Sequence, residues 1–150
     1  MISAGAVASS RRRVAAAVPA NVITNGSFAA GDAGWTDFWY SGKSVAGGKA
    51  QFTASPAYDG INQSIAVVAG KYYELTFTVS GRTSGTALAR LLGGTQRNGT
   101  VRSANGTFVE RLLINTGNNV INLCLETGGT LAIDDVSLVG PYNTATVGGP

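Results

Sequence analysis

"KYYELTFTVSG", residues 71–81, places Tyr73, Leu75, Phe77 and Val79 at every second position, with Glu74, Thr76, Thr78 and Ser80 between them. An extended chain points successive side chains to opposite faces, so this spacing makes a strand with one apolar and one polar side. Such a strand needs a second layer over its apolar face, which predicts a two-layer β architecture. The run before it, "GINQSIAVVAG", carries Ile61, Ile65 and Val67 on the side that also holds Gln63. Gln63 therefore turns inward, and its amide must find a partner there. "AVVAGKYY" reads as a hairpin between the two runs.

The same pattern of short apolar runs closed by Gly, Asn or Ser predicts strands at "KAQFTA", "TALARLLG", "GTFVERLLIN", "NVINLCLET" and "TLAIDDVSLVG", with weaker ones at "NVIT" and "TDFWYS". In "TLAIDDVSLVG" Leu131 and Ile133 share one parity, Val136 and Leu138 the other. The inward phase switches at Asp134 and Asp135, which predicts a bulge or bend. Roughly nine strands with turn signals every 8 to 12 residues predict an antiparallel sandwich or jelly roll. At 150 residues with 21 glycines and four prolines, the chain fits one domain of strands and turns. Residues 1–20 read as an extended N-terminal arm, 21–140 as the sandwich domain and 141–150 as a C-terminal tail or linker stub.

Composition removes several kinds of function. With no histidine, Ser–His and Cys–His nucleophile pairs and histidine-ligated metal sites are excluded. Cys124 is the only cysteine, so no intrachain disulfide forms, and its place in "VINLCLE" predicts a buried, inert thiol. Eleven basic residues stand against eight acidic ones, and three of the eleven are Arg11, Arg12 and Arg13. The body is therefore neutral and lacks the basic stripe that nucleic acid requires. No apolar run approaches the roughly 20 residues that span a bilayer, so no membrane partner is expected. "VAAAVPA" is too short for a secretory core, and the start reads as a retained arm.

Four pieces in order, "NVITNGSF" at 21–28, "GW" at 34–35, "YDGINQSIAVVAGKYYELTFTVSG" at 58–81 and "LAIDDVSL" at 131–138, resemble carbohydrate-binding modules of the galactose-binding-like jelly-roll type, above all families 4, 9 and 22. The resemblance implies an all-β, antiparallel jelly-roll β-sandwich. It also implies a structural calcium bound by an acidic residue after "NGxF" and an Asp of "DDV". Here Ala29 holds the first position, which leaves Asp134 and Asp135 as the only candidate calcium ligands, a poor cage for an ion that takes six to eight oxygens.

A sugar site needs flat aromatic faces flanked by hydrogen-bonding groups. Trp39, Tyr40, Tyr58 and Asn62 are the candidate glycan contacts, and Trp35 after Gly34 reads as a core anchor. An enzyme is not expected, because a glycosidase faces two carboxylates about 5 to 10 Å apart. The acidic residues are instead scattered at 32, 37, 59, 74, 110, 126, 134 and 135. Modules of this resemblance recur on tailed-phage virions, and the arm suits docking: Arg11, Arg12 and Arg13 offer guanidinium forks to carboxylates, with Val14 and Val18 beside them. The leading expectation is a non-enzymatic decoration or cement protein, present in multiple copies on a phage capsid, bound to a shell protein and holding a host-surface glycan weakly. The alternative is a free-standing extracellular carbohydrate-binding module.

Overall fold

The computed structural model describes residues 17–38 and 43–150. It is an antiparallel β-sandwich of two sheets. The strands are β1 (Ala20–Asn21), β2 (Thr36–Phe38), β3 (Lys43–Ala46), β4 (Lys49–Ser55), β5 (Gly60–Ser64), β6 (Tyr72–Ser80), β7 (Thr86–Leu92), β8 (Arg97–Asn98), β9 (Gly106–Leu113), β10 (Val120–Thr127) and β11 (Gly129–Tyr142). Sheet A runs β3-β4-β11-β6-β9, with β1 also on β11, and sheet B runs β2-β5-β10-β7-β8. No helix among the described residues is long and apolar enough to cross a membrane.

The alternation in β6 works as expected: Tyr73, Leu75, Phe77 and Val79 are buried, and each residue between them is half-buried. From sheet B, Ile61, Ala89, Leu91, Ile121, Leu123 and Leu125 meet them in one core. Gln63 enters that core from β5, and its amide closes a two-way bond with Thr24, accepting from the Thr24 N–H at 2.8 Å and donating to the Thr24 carbonyl at 2.9 Å. This pair ties the entering chain to sheet B.

The phase switch in β11 is a bulge. Asp134 lies opposite Thr78 and Ser137 opposite Thr76, so two β11 residues face the single Phe77. Asp135 adopts φ 49° there, and the shift lets Leu131, Ile133, Val136 and Leu138 all reach the core. Gly26 docks on the bulge, its carbonyl accepting from Val136 N at 3.0 Å; a Cβ at Gly26 would strike the Val136 carbonyl. Asn25, at φ 49°, organises the following loop by donating to the carbonyls of Gly31 and Ala33 and accepting from Ala30 N. Trp35 is buried against Phe28 at 5.4 Å between ring centroids and donates its indole N–H to the Asn25 carbonyl at 3.0 Å.

Three expectations need correction. "AVVAGKYY" is not a hairpin: β5 pairs with β2 and β10, β6 with β11 and β9, and residues 65–71 cross between the sheets. The turn at Gly70 is real, but strand partners are chosen by distant residues that local alternation does not reveal. "NVIT" contributes to the strands only through Asn21, at the end of β1, because its Ile23 and Thr24 are drawn into the core bonds of that loop. β3 and β8 were not anticipated; β3 joins β4 through Gly47 and Gly48, both at positive φ as a tight two-residue hairpin requires.

The C-terminal residues are not a free stub. β11 extends to Tyr142, and the following segment is held by Arg111, which donates to the carbonyls of Thr144 at 2.9 Å and Gly149 at 2.7 Å.

Candidate ligand face on sheet B

Register decides which side chains share the outer face of sheet B. Thr36 lies opposite Asn62, Asn62 opposite Asn122, Asn122 opposite Arg90, and Arg90 opposite Asn98. One row of polar residues thus crosses all five strands, on the face away from the core. The next row holds Phe38, Gly60, Cys124 and Leu88. A Cβ at Gly60 would come within 2.6 Å of the Leu123 carbonyl and 2.7 Å of Cys124 Cβ, so a side chain has no room between the strands there.

Polar side chains on the outside of a sheet normally face water. Here Asn122 is fully buried and Arg90 only 8% exposed. Arg90 Nε donates to Asn122 Oδ1 at 2.9 Å, and Asn122 Nδ2 donates to Asn62 Oδ1 at 2.7 Å and to the Ile61 carbonyl at 3.3 Å. The guanidinium carbon sits 5.1 Å from the Phe38 ring centroid and 5.4 Å from that of Tyr58. Arg90 Nη2 is buried and has no hydrogen-bond partner among the described residues.

Cys124 lies beside this group. Burial pushes its thiol up to about 11, against an opposing pull from the Arg90 guanidinium and with a further push from Glu126. The thiol stays protonated and neutral at physiological pH, which matches the inert role expected for it.

Of the expected glycan contacts, Tyr58 and Asn62 both belong to this face. Tyr58 sits at φ 66° on the turn before β5, 46% exposed as a residue, with its N–H bonded to the Leu125 carbonyl at 2.7 Å. Trp39 and Tyr40 lie outside the described residues, as do Arg11, Arg12, Arg13 and Val14 of the arm; Val18 is 83% exposed. Sequence reasoning missed Asn122 and Arg90, which stand at alternate positions inside apolar runs.

The calcium ligands implied by the resemblance do not assemble. Ala29 offers no carboxylate, Asp134 Oδ1 accepts from its neighbour's Asp135 N at 2.6 Å, and Asp135 is exposed at the bulge. Among the described residues no three His, Cys, Asp or Glu side chains gather as a metal site. Asp59 is buried with neither carboxylate oxygen bonded, and Ser55 Oγ in the same turn is likewise unbonded. One carboxylate and one hydroxyl fall short of the oxygens calcium takes.

No family model matches this chain. No curated protein matches it in sequence either. Solved structures do match in fold. A CBM4 module superposes with a TM-score of 0.59 at 22% identity, covering 80% of this chain and 99% of the module. The CBM22-1 xylan-binding domain of Xyn10C from Paenibacillus barcinonensis gives 0.59 at 14% identity, covering 83% and 96%. The enzymatically active domain of tailspike protein 4 from bacteriophage CBA120 gives 0.58 at 20% identity, covering 81% of this chain but only 21% of that one. What these likenesses show is the fold: an antiparallel β-sandwich similar to that of CBM4 and CBM22 modules.

Proposed function

We propose that the chain is a non-catalytic carbohydrate-binding module that holds a glycan on the outer face of sheet B. The observation that carries this is the Asn62–Asn122–Arg90 chain on an outward face, buried at Asn122 and Arg90, with the Arg90 guanidinium against the rings of Phe38 and Tyr58. Sugars present C–H faces that stack on aromatic rings and hydroxyls that need hydrogen-bond partners. Tyr58 supplies the exposed ring, and Asn62 and Arg90 supply the donors. The row offers amides and one guanidinium rather than a facing pair of carboxylates, which suits binding and not hydrolysis. The fold likeness to CBM4 and CBM22 modules supports the reading by analogy. Such a module works outside the cell, on exposed polysaccharide.

Electrophoresis through gels containing single polysaccharides tests this. The chain is expected to be retarded by at least one, without releasing reducing ends, and Tyr58→Ala is expected to release it. Free migration through xylan, β-glucan, mannan and polyuronate gels, or full retardation of Tyr58→Ala, overturns the reading.

The capsid-decoration reading rests on the arm, and the tailspike likeness is the observation that keeps it as a second reading. Limited trypsin digestion decides it. Protection of Arg11, Arg12 and Arg13 in a native particle, with cleavage in the isolated chain, supports docking on a shell protein; cleavage in both removes it.

A further inference from the structure

Among the described residues Arg90 has no ion-pair partner. A guanidinium stays protonated at any ordinary pH. This one is 8% exposed, so it has lost most of its hydration. The ion pairs of the described residues are Lys43–Asp37, Arg102–Glu110 and Arg111–Glu74, and none involves Arg90. Its neighbours are a neutral amide, two aromatic rings and a thiol that keeps its proton. The two rings offset part of the cost of burying the charge, since cations are attracted to ring faces. They do not satisfy Nη2, which remains a buried donor with no acceptor among the described residues.

For a neutral sugar hydroxyl, an amide at position 90 would donate equally well and avoid the cost of a buried charge. A guanidinium is favoured where the acceptor is itself charged and planar, because its fork matches a carboxylate and the bond is about twice as strong as a neutral one. We therefore propose, building on the glycan-binding reading, that the ligand of sheet B is an acidic polysaccharide whose uronate carboxylate pairs with Arg90 Nη2. Tyr58, exposed on its turn and lying over the guanidinium, is the group that moves to admit the sugar and then stacks on its ring. Asn122 is a positioning residue: through Nε it fixes the direction in which the rest of the guanidinium points.

The test compares charge at constant ring structure. Binding of the full chain is measured by calorimetry to polygalacturonate, alginate and hyaluronate, each beside its methyl-esterified or carboxyl-reduced form, with xylan and mannan as neutral controls. At least one polyuronate is expected to bind about tenfold or more tightly than its neutralised form, a gap of the size that one charge-assisted hydrogen bond supplies. Arg90→Gln is expected to bring acid and neutralised forms to the same affinity, and Arg90→Lys to recover part of the difference, since it keeps the charge and loses the fork. Where Arg90→Gln fails to fold, the acid-against-ester ratio of the unaltered chain still decides.

Tighter or equal binding of the neutral forms overturns the acidic-ligand proposal and leaves glycan binding standing. A preference for acid that Arg90→Gln does not change overturns it as well, because another group then reads the charge. Binding to none of these polymers overturns both readings.

Discussion

Replacing Arg111 by Met removes the anchor of the C-terminal segment, and the loss follows from four contacts. The Arg111 side chain is 1% exposed; its Nε donates to Glu74 Oε2 at 3.1 Å, and its Nη1 and Nη2 hold the carbonyls of Thr144 and Gly149. Its plane lies on Tyr142, with 3.7 Å from the guanidinium carbon to the ring centroid. Breaking a buried pair by removing one partner costs about 3–5 kcal/mol. Glu74 is 23% exposed and recovers some hydration, and Met keeps the packing of the aliphatic stem, so the expected loss sits at the lower end, about 3 kcal/mol. Deleting residues 144–150 alone leaves the pair and the ring stack and removes only the bonds to the tail, a loss of about 1–2 kcal/mol. Because the tail is held through Arg111 and through Glu74, which also accepts from Gly148 N at 3.1 Å, the two changes combined are expected to cost little more than Arg111→Met alone. Urea unfolding followed by the fluorescence of buried Trp35 measures all three. A loss below about 1 kcal/mol for Arg111→Met, or full additivity with the truncation, refutes the clamp.

Two further changes follow from groups in the core and beneath the ligand face. Burial pushes the Cys124 thiol up to about 11 from the 9.0 of a free thiol, so its contribution is complete below pH 9 and is lost as pH rises from 9 to 11. The loss is about 3 kcal/mol, two pH units at about 1.4 kcal/mol each, and it vanishes in Cys124→Ala, which separates it from tyrosines titrating in the same window. Alkylation by iodoacetamide at pH 8 should accordingly be slow until urea unfolds the chain. Gln63→Leu leaves the part-buried Thr24 N–H and carbonyl without their Gln63 partner, and is expected to lower stability by about 1–2 kcal/mol in the same urea assay, whereas Gln63→Glu keeps an acceptor for the N–H but loses the donor to the carbonyl.

What local alternation encodes was legible: the buried face of β6, the inward amide of Gln63 and the bulge at Asp134 and Asp135 all follow from parity along a single run. Pairing was not, because the partner of a strand depends on residues far along the chain. The segment at 65–70 carries a good turn signal and still crosses between sheets, since β10 and β11 supply better partners for β5 and β6 than they are for each other. The ligand face was half legible for the same reason. Tyr58 stands near turn residues and Asn62 offers an amide beside it, while Asn122 and Arg90 sit inside "NVINLCLET" and "TALARLLG", which read as core. The missed signal was again parity: Ile121, Leu123 and Leu125 alternate with Asn122, Cys124 and Glu126, and Leu88 and Arg90 fall between Ala87, Ala89 and Leu91. Only the register brings Asn122 opposite both Asn62 and Arg90.

The two outer faces of this sandwich solve the same problem differently, and the difference argues for where function lies. On sheet A the outward side chains are short or paired. Thr78 and Thr107 share an exposed hydrogen bond at 2.8 Å, and Lys49 donates to Ser80 at 3.2 Å beside a groove of about 240 Å³ that includes Gln51 and Thr130. Every one of those groups has a protein partner: Gln51 bonds the Ala46 carbonyl and Thr130 Oγ1 accepts from Ala54 N. On sheet B the centre of the outward row, Asn122 and Arg90, is buried and polar, and its bonds run from Arg90 to Asn122 to Asn62, leaving a guanidinium donor without a partner among the described residues. Apolar residues of similar size at 90 and 122 would cover the sheet without desolvating a charge or amides, and substitutions of that kind are often neutral or stabilising. Folding therefore gains nothing from this arrangement that a plainer one would not give. A network that is costly to bury and incomplete without an acceptor makes physical sense when a ligand supplies that acceptor, which is why the face of sheet B, and not the groove on sheet A, is where binding is expected.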